Sequence, residues 1–379
     1  MRIGIDVRYL SHGLIGGVRN YVAQFVPAVI EQAPGDQFFL YADTKRDFEL
    51  DLAKLPGNVT LRVLPYRSPL SSAWLDFVAL RRAMAADRLD LAHFPANYGY
   101  GPRGAKTVIT LHDALNVMPL VTMLKGKGSR RTPKYLALSV YLHTCSVSAV
   151  RHAARLLTVS NIAKQDIVRF CNYPSTRIDA VPHAPPPGMQ RVTDPVTLDD
   201  TRHRLGLPAR FILADGLKNP AVIVRAWRRL PSEFRAERKI VFFARHEPLP
   251  VVHEAAMAGD ACLLRRPSRA DLWALFSMAD VFVFPSWYEG FGIPILEAMV
   301  CGAPVIASDR YSIPEVVGNA ALLADAEDDA TFAKHLAAVL GSPSEAARLR
   351  ALGQARASEF SWPRSAAAIL HTYREALAA

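Results

Sequence analysis

Residues 279–308 contain the pattern that most restricts the fold of this chain. Residues 279–284 (ADVFVF) form an apolar run of strand length that ends at Pro285, and residues 303–308 (APVIAS) form a second such run. Between them, residues 294–300 (PILEAMV) are mostly helix formers after a proline that suits a first helical turn. We therefore predict a strand, a glycine-containing loop, a helix and a strand, which make one βαβ unit of a parallel sheet.

The loop of this unit, Glu289-Gly290-Phe291-Gly292, follows the carboxyl end of the first strand. Open parallel sheets bind ligands at that edge, and the start of a helix offers N–H groups and partial positive charge to a phosphate. Gly290 and Gly292 allow close approach of the backbone to a ligand, and Glu297, in the helix, can accept two hydroxyl protons of a ribose diol. An ordinary turn with a solvated Glu297 fits the spacing equally well.

The string itself favours the ligand-binding interpretation. Residues 284–308, FPSWYEGFGIPILEAMVCGAPVIAS, resemble the donor-site signature of the family 4 retaining glycosyltransferases of the GT-B fold. The resemblance is carried by two glutamates separated by seven residues, by FPS before them and by EAM, CG and PVIAS after them, and PEVVG at 314–318 extends it. It implies two doubly wound, Rossmann-like α/β domains that face across a cleft. The alternation of strand and helix patterns in both halves of the chain agrees with that fold class.

The resemblance also implies roles for individual residues. It assigns Glu289 to the transferred sugar or its oxocarbenium-like centre and Glu297 to the ribose. His112, at the end of the predicted strand 107–111, would contact the sugar, although a lone His at such a place is more often structural. Gly16-Gly17, in the loop after the first strand, would face the diphosphate and the acceptor, although by itself this pattern favours a plain loop.

Lys218 is expected to contact the donor phosphates. Lys218-Asn219 matches the family pattern, but the family carries an Arg before the Lys and this chain does not, so Arg245, Arg265 or Arg266 would have to substitute. The predicted catalytic residues are Glu289, His112 and Lys218. The predicted donor-binding residues are Gly16, Gly17, Lys218, Arg266, Glu289, Gly290, Phe291, Gly292, Ile293 and Glu297.

Residues 182–201 mark the predicted domain boundary, because they contain five prolines and little periodicity. We predict an acceptor-side domain over 1–187 and a nucleotide-sugar domain over 188–360. Residues 361–379 resemble the terminal helix of the family, which crosses back to the first domain.

The basic charge lies in the first half of the chain. Residues 1–190 contain 23 Lys and Arg against 13 Asp and Glu, whereas residues 191–379 contain 22 of each. Such a half attracts nucleic acid, anionic lipid or a phosphorylated substrate. No nucleic-acid-binding module or aromatic stacking run accompanies the charge, so we expect no nucleic-acid partner.

Residues 117–135 combine basic and apolar side chains, which suits an anionic membrane surface or a lipid-linked phosphate. A mobile, solvated loop fits the same composition. The basic residues are Lys125, Lys127, Arg130, Arg131 and Lys134, and the apolar ones are Met118, Leu120, Val121, Met123 and Leu124.

We expect no metal and no cofactor other than the nucleotide-sugar substrate. The four cysteines stand singly without metal-ligand spacing, which predicts buried free thiols, and no acidic cluster for a metal is visible. Mean hydropathy is +0.09, no apolar run approaches the ~20 residues of a membrane span, and the N-terminus lacks a signal-peptide pattern. A cytoplasmic enzyme, peripheral on the inner face of the membrane, is therefore expected.

The sequence thus predicts a retaining hexosyltransferase. The form YEGFGIPILEAM most resembles members that use GDP-mannose in bacterial surface polysaccharide assembly, with a glycan or lipid-linked glycan as acceptor. A UDP-sugar transferase of the same family is the alternative. A nucleotide-sugar epimerase would carry a different donor motif, and only the missing Arg near Lys218 supports a non-catalytic partner subunit.

Overall fold

The computed structural model describes residues 1–11, 16–46, 56–68, 71–125 and 133–378, and it divides the chain into two compact units. The first unit comprises Met1–His183 together with Trp362–Ala379, and the second comprises Ala184–Ser361. These limits lie close to the boundaries that the sequence predicts at 187/188 and 360/361.

Parallel strands form one sheet in each unit. The strands are β1 (Arg2–Asp6), β2 (Gln37–Asp43), β3 (Val59–Leu64), β4 (Leu91–Phe94), β5 (Lys106–Leu111), β6 (Arg155–Thr158), β7 (Ile178–Ala180), β8 (Phe211–Asp215), β9 (Lys239–Ala244), β10 (Ala261–Arg265), β11 (Val281–Phe284), β12 (Val305–Ser308) and β13 (Leu322–Ala324). Among the described residues, the first unit has a seven-stranded sheet of order β3-β2-β1-β4-β5-β6-β7, and the second has a six-stranded sheet of order β10-β9-β8-β11-β12-β13.

Helices connect the strands and cover the sheets. They are α1 (Gly17–Gln32), α2 (Ser71–Trp74), α3 (Leu80–Ala86), α4 (Leu120–Lys125), α5 (Pro133–His152), α6 (Asn161–Cys171), α7 (Pro195–Leu205), α8 (Pro220–Arg229), α9 (Ser232–Glu237), α10 (Pro250–Met257), α11 (Arg269–Met278), α12 (Ile293–Val300), α13 (Ile313–Val317), α14 (Asp329–Gly341), α15 (Pro343–Ser358) and α16 (Trp362–Ala378). A π-helical segment, Leu75–Ala79, joins α2 to α3.

Both sheets are doubly wound, so each has a point where the chain reverses its direction of travel across the sheet. In the first sheet the chain runs outward from β1 through β2 to β3, and then returns to the other side of β1 as β4. In the second it runs from β8 through β9 to β10 and returns beside β8 as β11. Ligands bind outside the carboxyl ends of the strands at such switch points, which here are β1/β4 and β8/β11.

The signature region forms the βαβ unit that its sequence predicts. The strand β11 is fully buried and pairs in parallel with β12, with Phe282 opposite Val305. The connecting helix α12 begins at Ile293 with Pro294 in its first turn, where a missing N–H costs no helical hydrogen bond.

The terminal helix α16 belongs to the core of the first unit. Ile369, Leu370 and Tyr373 are buried, and each such side chain contributes about 1.5–3 kcal/mol of hydrophobic stabilisation. The Tyr373 hydroxyl contacts His93 Nδ1 at 2.7 Å, and His93 Nε2 contacts Thr110 Oγ1 at 2.8 Å. A buried polar chain thereby connects α16 to the strands β4 and β5.

The predicted linker over residues 182–201 is partly wrong, because α7 begins inside it at Pro195. The side chain of Asp194 accepts a hydrogen bond from the Thr197 N–H at 2.9 Å, and Pro195 occupies the first turn, so the Asp-Pro pair starts a helix. Pro195 therefore belongs to the start of a helix and not to a linker.

Candidate active site

The candidate site of the second unit lies at its switch point, where β8 and β11 end side by side. Val283 of β11 pairs with Ala214 of β8, so the segments that follow the two strands leave the sheet at the same edge. These segments are the turn 215–219 after β8 and the loop 285–292 after β11. Together they contain five of the ten predicted donor-binding residues.

The turn 215–219 is fixed by its own polar groups. Asp215 accepts a hydrogen bond from the Leu217 N–H at 2.9 Å, and burial raises the pKa of this carboxyl. Asn219 adopts the left-handed conformation (φ 51°) immediately before helix α8. Its side-chain amide donates to the carbonyls of Pro285 (3.2 Å) and Ala326 (2.7 Å), which ties the turn to the neighbouring loops. The sequence pattern did not assign this role to Asn219.

Lys218 and Glu289 form an ion pair across the two segments. Lys218 Nζ lies 2.6 Å from Glu289 Oε1, with side-chain exposures of 35% and 15%. The Ser286 hydroxyl donates to the same Glu289 oxygen at 2.7 Å and fixes the carboxylate. Two of the three residues predicted to be catalytic, Lys218 and Glu289, are therefore in direct contact in this unit. Ser286 stands in the FPS of the signature, which is the only sequence signal for its role.

The loop 289–292 is positioned from below by Ser312. The Ser312 hydroxyl lies 2.7 Å from the Glu289 carbonyl oxygen and 3.0 Å from that of Phe291. The Phe291 side chain is buried and packs against Phe360 at 5.8 Å, so its backbone is the part that can face a ligand. Gly292 has φ 103°, which other L-residues rarely adopt, and precedes Ile293 at the start of α12.

Glu297 lies in the second turn of α12 and is partly buried. Burial raises the pKa of its carboxyl to about 7, against the opposing influence of Arg245 and Arg269. Near neutral pH the group therefore exists in both protonation states. Only the ionised carboxylate accepts two hydrogen bonds from a diol without competing as a donor.

Of the three arginines that might replace the missing family Arg, the structure favours Arg245. It follows β9, which pairs with β8, and its charge acts on both Asp215 and Glu297. Arg265 is bonded to Glu247 at 2.8 Å, and Arg266 donates to the Arg245 carbonyl at 3.3 Å. Arg266, which the sequence places in the donor-binding set, therefore has its guanidinium engaged with backbone.

The remaining predicted residues lie in the first unit. Gly16 is extended (φ 161°) and caps α1, while Gly17 is its first residue. A Cβ at either position would meet no atom of the described residues within 4 Å. Internal packing therefore does not require glycine at these positions. Residues 12–15 of the same glycine-rich loop lie outside the described residues.

His112 is partly buried between the end of β5 and the loop after β4. The Pro95 carbonyl oxygen lies 2.8 Å from His112 Nε2, and because a carbonyl only accepts, Nε2 carries the proton and Nδ1 the lone pair. Tyr21 packs edge-on at 4.9 Å, and burial lowers the pKa of His112 to about 4. At neutral pH His112 is thus an uncharged imidazole.

The predicted membrane-facing segment falls largely outside the described residues, because 126–132 are not among them. Met118 is buried, so its expected place on an exposed apolar surface is wrong, whereas Val121 is 65% exposed. In the part of the chain that the structure describes, we find no helix with the length and apolar character to cross a bilayer.

Comparison with known proteins identifies the family. The model of Glycosyltransferase Family 4 matches residues 15–187, and that of Glycosyl transferases group 1 matches residues 216–356. O-antigen chain mannosyltransferase B of Escherichia coli is 31% identical over 320 residues, which cover 81% of this chain and 77% of that protein. This chain belongs to the family 4 glycosyltransferases.

Two further matches agree with this assignment. D-inositol 3-phosphate glycosyltransferase of Thermobispora bispora is 32% identical over 358 residues, or 87% of this chain and 78% of that protein. The crystal structure of WaaG, a glycosyltransferase involved in lipopolysaccharide biosynthesis, aligns with a TM-score of 0.72 at 15% identity over 97% of this chain and 99% of that one. The predicted family and GT-B fold class are confirmed, and the protein is a hexosyltransferase.

The site of this glycosyltransferase offers charge stabilisation. A nucleoside diphosphate that leaves a sugar develops negative charge, which cations and helix N-termini stabilise in a partly desolvated site. The ammonium of Lys218 and the start of α12 supply these groups at one sheet edge. Among the described residues, no three His, Cys, Asp or Glu side chains group together as ligands for a metal ion. Independence of a metal stays a prediction.

Proposed function

We propose that this glycosyltransferase transfers mannose from GDP-mannose, with retention of anomeric configuration, to a glycan or lipid-linked glycan of a bacterial surface polysaccharide. The observation that carries the proposal is the Lys218–Glu289 ion pair at the β8/β11 switch point, with Glu297 in the helix that follows the same loop. The mannose assignment rests on the form YEGFGIPILEAM and on the similarity to an O-antigen chain mannosyltransferase.

In the proposed mechanism, the donor diphosphate binds against Lys218 and the backbone of Gly290–Gly292, and the family resemblance assigns Gly16-Gly17 to the diphosphate as well. Arg245 supplies the second cation, because it stands at the end of the neighbouring strand and forms no ion pair within the described part of the chain that a phosphate would have to displace. These groups stabilise the charge that develops as the bond from the anomeric carbon to the phosphate oxygen breaks.

Glu297 accepts hydrogen bonds from the ribose hydroxyls, and Glu289 holds hydroxyls of the sugar or stabilises its oxocarbenium-like centre. The lone pair on Nδ1 of neutral His112 accepts a hydrogen bond from a sugar hydroxyl. We assign no nucleophile among these residues, because the Glu289 carboxylate is held by Lys218 and Ser286. We assign the proton of the incoming acceptor hydroxyl to the leaving diphosphate.

Nucleotide binding tests the donor assignment. Thermal unfolding is followed by scanning fluorimetry with GDP, UDP or ADP for the wild type, for Glu297→Ala and for the exposed control Glu254→Ala. Saturation at 100 times the dissociation constant stabilises the folded protein by about 2.7 kcal/mol, which is a shift of roughly 5 °C for domains of this size. We expect the shift with GDP alone, lost in Glu297→Ala and kept in the control. A shift with UDP alone would establish the alternative donor class.

Turnover separates transfer from the other activities of this fold. With GDP-mannose and a mannose-terminated acceptor, a transferase releases GDP in step with elongated glycan. Release of free sugar isomers without acceptor would indicate an epimerase, and nucleotide binding without any turnover would indicate a non-catalytic subunit.

The acceptor assignment includes a cytoplasmic location at the inner face of the membrane, supported by the basic first half of the chain. Each basic residue near an anionic surface contributes about 1 kcal/mol, so replacing Lys125, Lys127, Arg130 and Arg131 with Ser should weaken binding to anionic vesicles by a factor on the order of a thousand. Donor hydrolysis should remain at the wild-type rate. If the variant binds anionic vesicles as strongly as the wild type does, the proposed membrane association is wrong.

A further inference from the structure

A second polar site lies at the switch point of the first sheet. Beyond the carboxyl ends of β1 and β4, a cavity of about 250 Å³ is lined by charged and aromatic side chains. None of the predicted donor-binding or catalytic residues lines it. Those that matter for its chemistry are Asp6, Arg8, Asp76, Ala96, Tyr98 and Tyr100.

Two buried carboxylates and one arginine form the polar floor of this cavity. Arg8 Nη2 lies 2.7 Å from Asp6 Oδ2, and Arg8 Nη1 lies 2.6 Å from Asp76 Oδ1, with all three side chains at most 10% exposed. The hydroxyls of Tyr98 and Tyr141 donate to Asp76 Oδ2 at 2.9 Å and 3.2 Å. Removing one member of such a buried group would leave an uncompensated charge, which is costly.

The aromatic wall is held against the sheet by two glycines. A Cβ at Gly99 would lie 2.0 Å from the ring of Phe94, and one at Gly101 would lie 2.4 Å from Thr107 Oγ1. Only glycine therefore lets this segment pack so closely on β4 and β5. The close packing brings Tyr98 and Tyr100 to the cavity, and the exposed Phe77 contacts the Tyr100 ring at 5.4 Å.

The charges of the cavity select against an anionic ligand. Lys45 also lines it, 5.3 Å from the centre of the Tyr66 ring, and the two cations are balanced by the two carboxylates. The buried guanidinium of Arg8 is already bonded to both acids. A phosphate would find no surplus positive charge, and its desolvation would be uncompensated.

The same groups suit an uncharged ring that carries hydroxyls. A carboxylate has about four acceptor positions, and the bonds to Arg8, Tyr98 and Tyr141 occupy three of those on Asp76, so one remains for a ligand hydroxyl. The tyrosine rings offer flat apolar surface for C–H groups. The volume is slightly below the ~300–1,000 Å³ of pockets for drug-sized ligands, which corresponds to a single ring.

We propose that this cavity binds one uncharged sugar ring of the acceptor glycan. The inference rests on the proposed transferase function and adds the chemical class of the acceptor: a neutral saccharide, recognised in the first unit by Asp76 and the tyrosine wall. It places the phosphate of any lipid-linked acceptor outside the cavity.

The test uses saturation-transfer NMR on the full-length protein with methyl α-mannopyranoside and mannose 6-phosphate as probes. Ala96→Leu fills the cavity with three additional carbon atoms, and Ala85→Leu on the exposed side of α3 is the matched control. Asp76→Asn keeps the shape and removes the carboxylate. We expect transfer to the methyl glycoside with wild type and control, none with Ala96→Leu, and about tenfold weaker binding with Asp76→Asn.

Three results would overturn the inference: no transfer to the methyl glycoside with the wild type, undiminished transfer with Ala96→Leu, or equal binding of mannose 6-phosphate. Scanning fluorimetry with GDP on the same samples reports on the second unit. The ligand-free unfolding transition of Ala96→Leu, compared with that of Ala85→Leu, shows whether the first unit of the variant is folded. The two measurements therefore test the two hypotheses separately: sugar binding tests the cavity in the first unit, and the GDP shift tests the proposed donor.

Discussion

Replacing Glu289 with Gln should move nucleotide affinity and transfer rate in opposite directions. In the ligand-free protein, Lys218 is bound to Glu289 at 2.6 Å, so a diphosphate must compete with this carboxylate for the ammonium. The glutamine keeps the shape and the hydrogen bond from Ser286 but removes the competing charge. It also removes the carboxylate that we assign to the transferred sugar.

The structure sets the size of the first effect. At 2.6 Å, the Coulomb attraction of the pair is about 1.6 kcal/mol at a dielectric constant of ~80 and about 6 kcal/mol at ~20. Measured net values for pairs with one partly exposed partner are near 1 kcal/mol, because side-chain ordering and desolvation oppose the attraction. Releasing Lys218 should therefore tighten nucleoside diphosphate binding by about fivefold.

The second effect is larger and has the opposite sign. Loss of a charged group that acts on the transition state typically lowers kcat by about 10²–10³. We expect Glu289→Gln to bind GDP about fivefold more tightly by isothermal titration calorimetry while its mannosyl transfer falls at least a hundredfold. Glu345→Gln, which breaks the Arg348 ion pair at 2.7 Å elsewhere in the second unit, should change neither.

The outcome that would refute this reasoning is weaker GDP binding by Glu289→Gln than by the wild type. That result would mean that Glu289 assists the diphosphate or that Lys218 does not contact it. A Lys218→Met variant distinguishes the two explanations. If the ammonium binds the phosphates, the variant should lose GDP affinity both with Glu289 and with Gln at position 289. If it does not, GDP affinity should stay unchanged.

Three further predictions concern stability and pH. Asn219→Ala removes two amide hydrogen bonds and places Ala at φ 51°, so the free energy of unfolding measured in urea should fall by about 2–4 kcal/mol. A loss below about 1 kcal/mol would contradict the role of Asn219 in holding the turn to the neighbouring loops. Because the pKa of Glu297 is about 7, calorimetry should show GDP affinity falling as pH drops from 8 to 6 in the wild type but not in Glu297→Gln. Burial lowers the pKa of His93 to about 3, so below pH 6.5 the unfolded chain binds a proton that the folded protein does not. The free energy of unfolding should therefore fall by about 4 kcal/mol as pH drops from 6.5 towards 3. In urea titrations, His93→Gln should reduce this dependence of the unfolding free energy on pH.

Local sequence patterns predicted the elements of the fold well, because strand and helix periods are local properties. The predicted strand 107–111 and the predicted helical residues 294–300 appear at Lys106–Leu111 and Ile293–Val300. Pro294 occupies the first turn of the latter helix, as its residue type indicated. The linker prediction was wrong at α7 for an equally local reason, because an Asp-Pro pair can start either a turn or a helix.

The contacts of the site were not available from those patterns. Lys218 and Glu289 are far apart in sequence and meet because β8 and β11 are neighbours in the sheet, which is a consequence of topology. The side-chain amide of Asn219 likewise bonds to carbonyls that only the folded chain brings within reach. Arg245, our candidate to replace the absent Arg, comes close to this edge through the pairing of β9 with β8 and has no motif of its own.

The same winding gives the two units different chemistry at equivalent places. At β8/β11, a glycine-containing loop and a helix start leave backbone accessible, and Arg245 adds positive charge beyond the Lys218–Glu289 pair, which suits a diphosphate. At β1/β4, the acids and bases balance within the floor and aromatic rings complete the walls, which suits a neutral ring. A transferase needs both surfaces, since its donor carries the leaving charge and its acceptor contributes only a hydroxyl. An enzyme that used a phosphorylated acceptor would need surplus cations at β1/β4, and the bonding of Arg8 to Asp6 and Asp76 leaves none there.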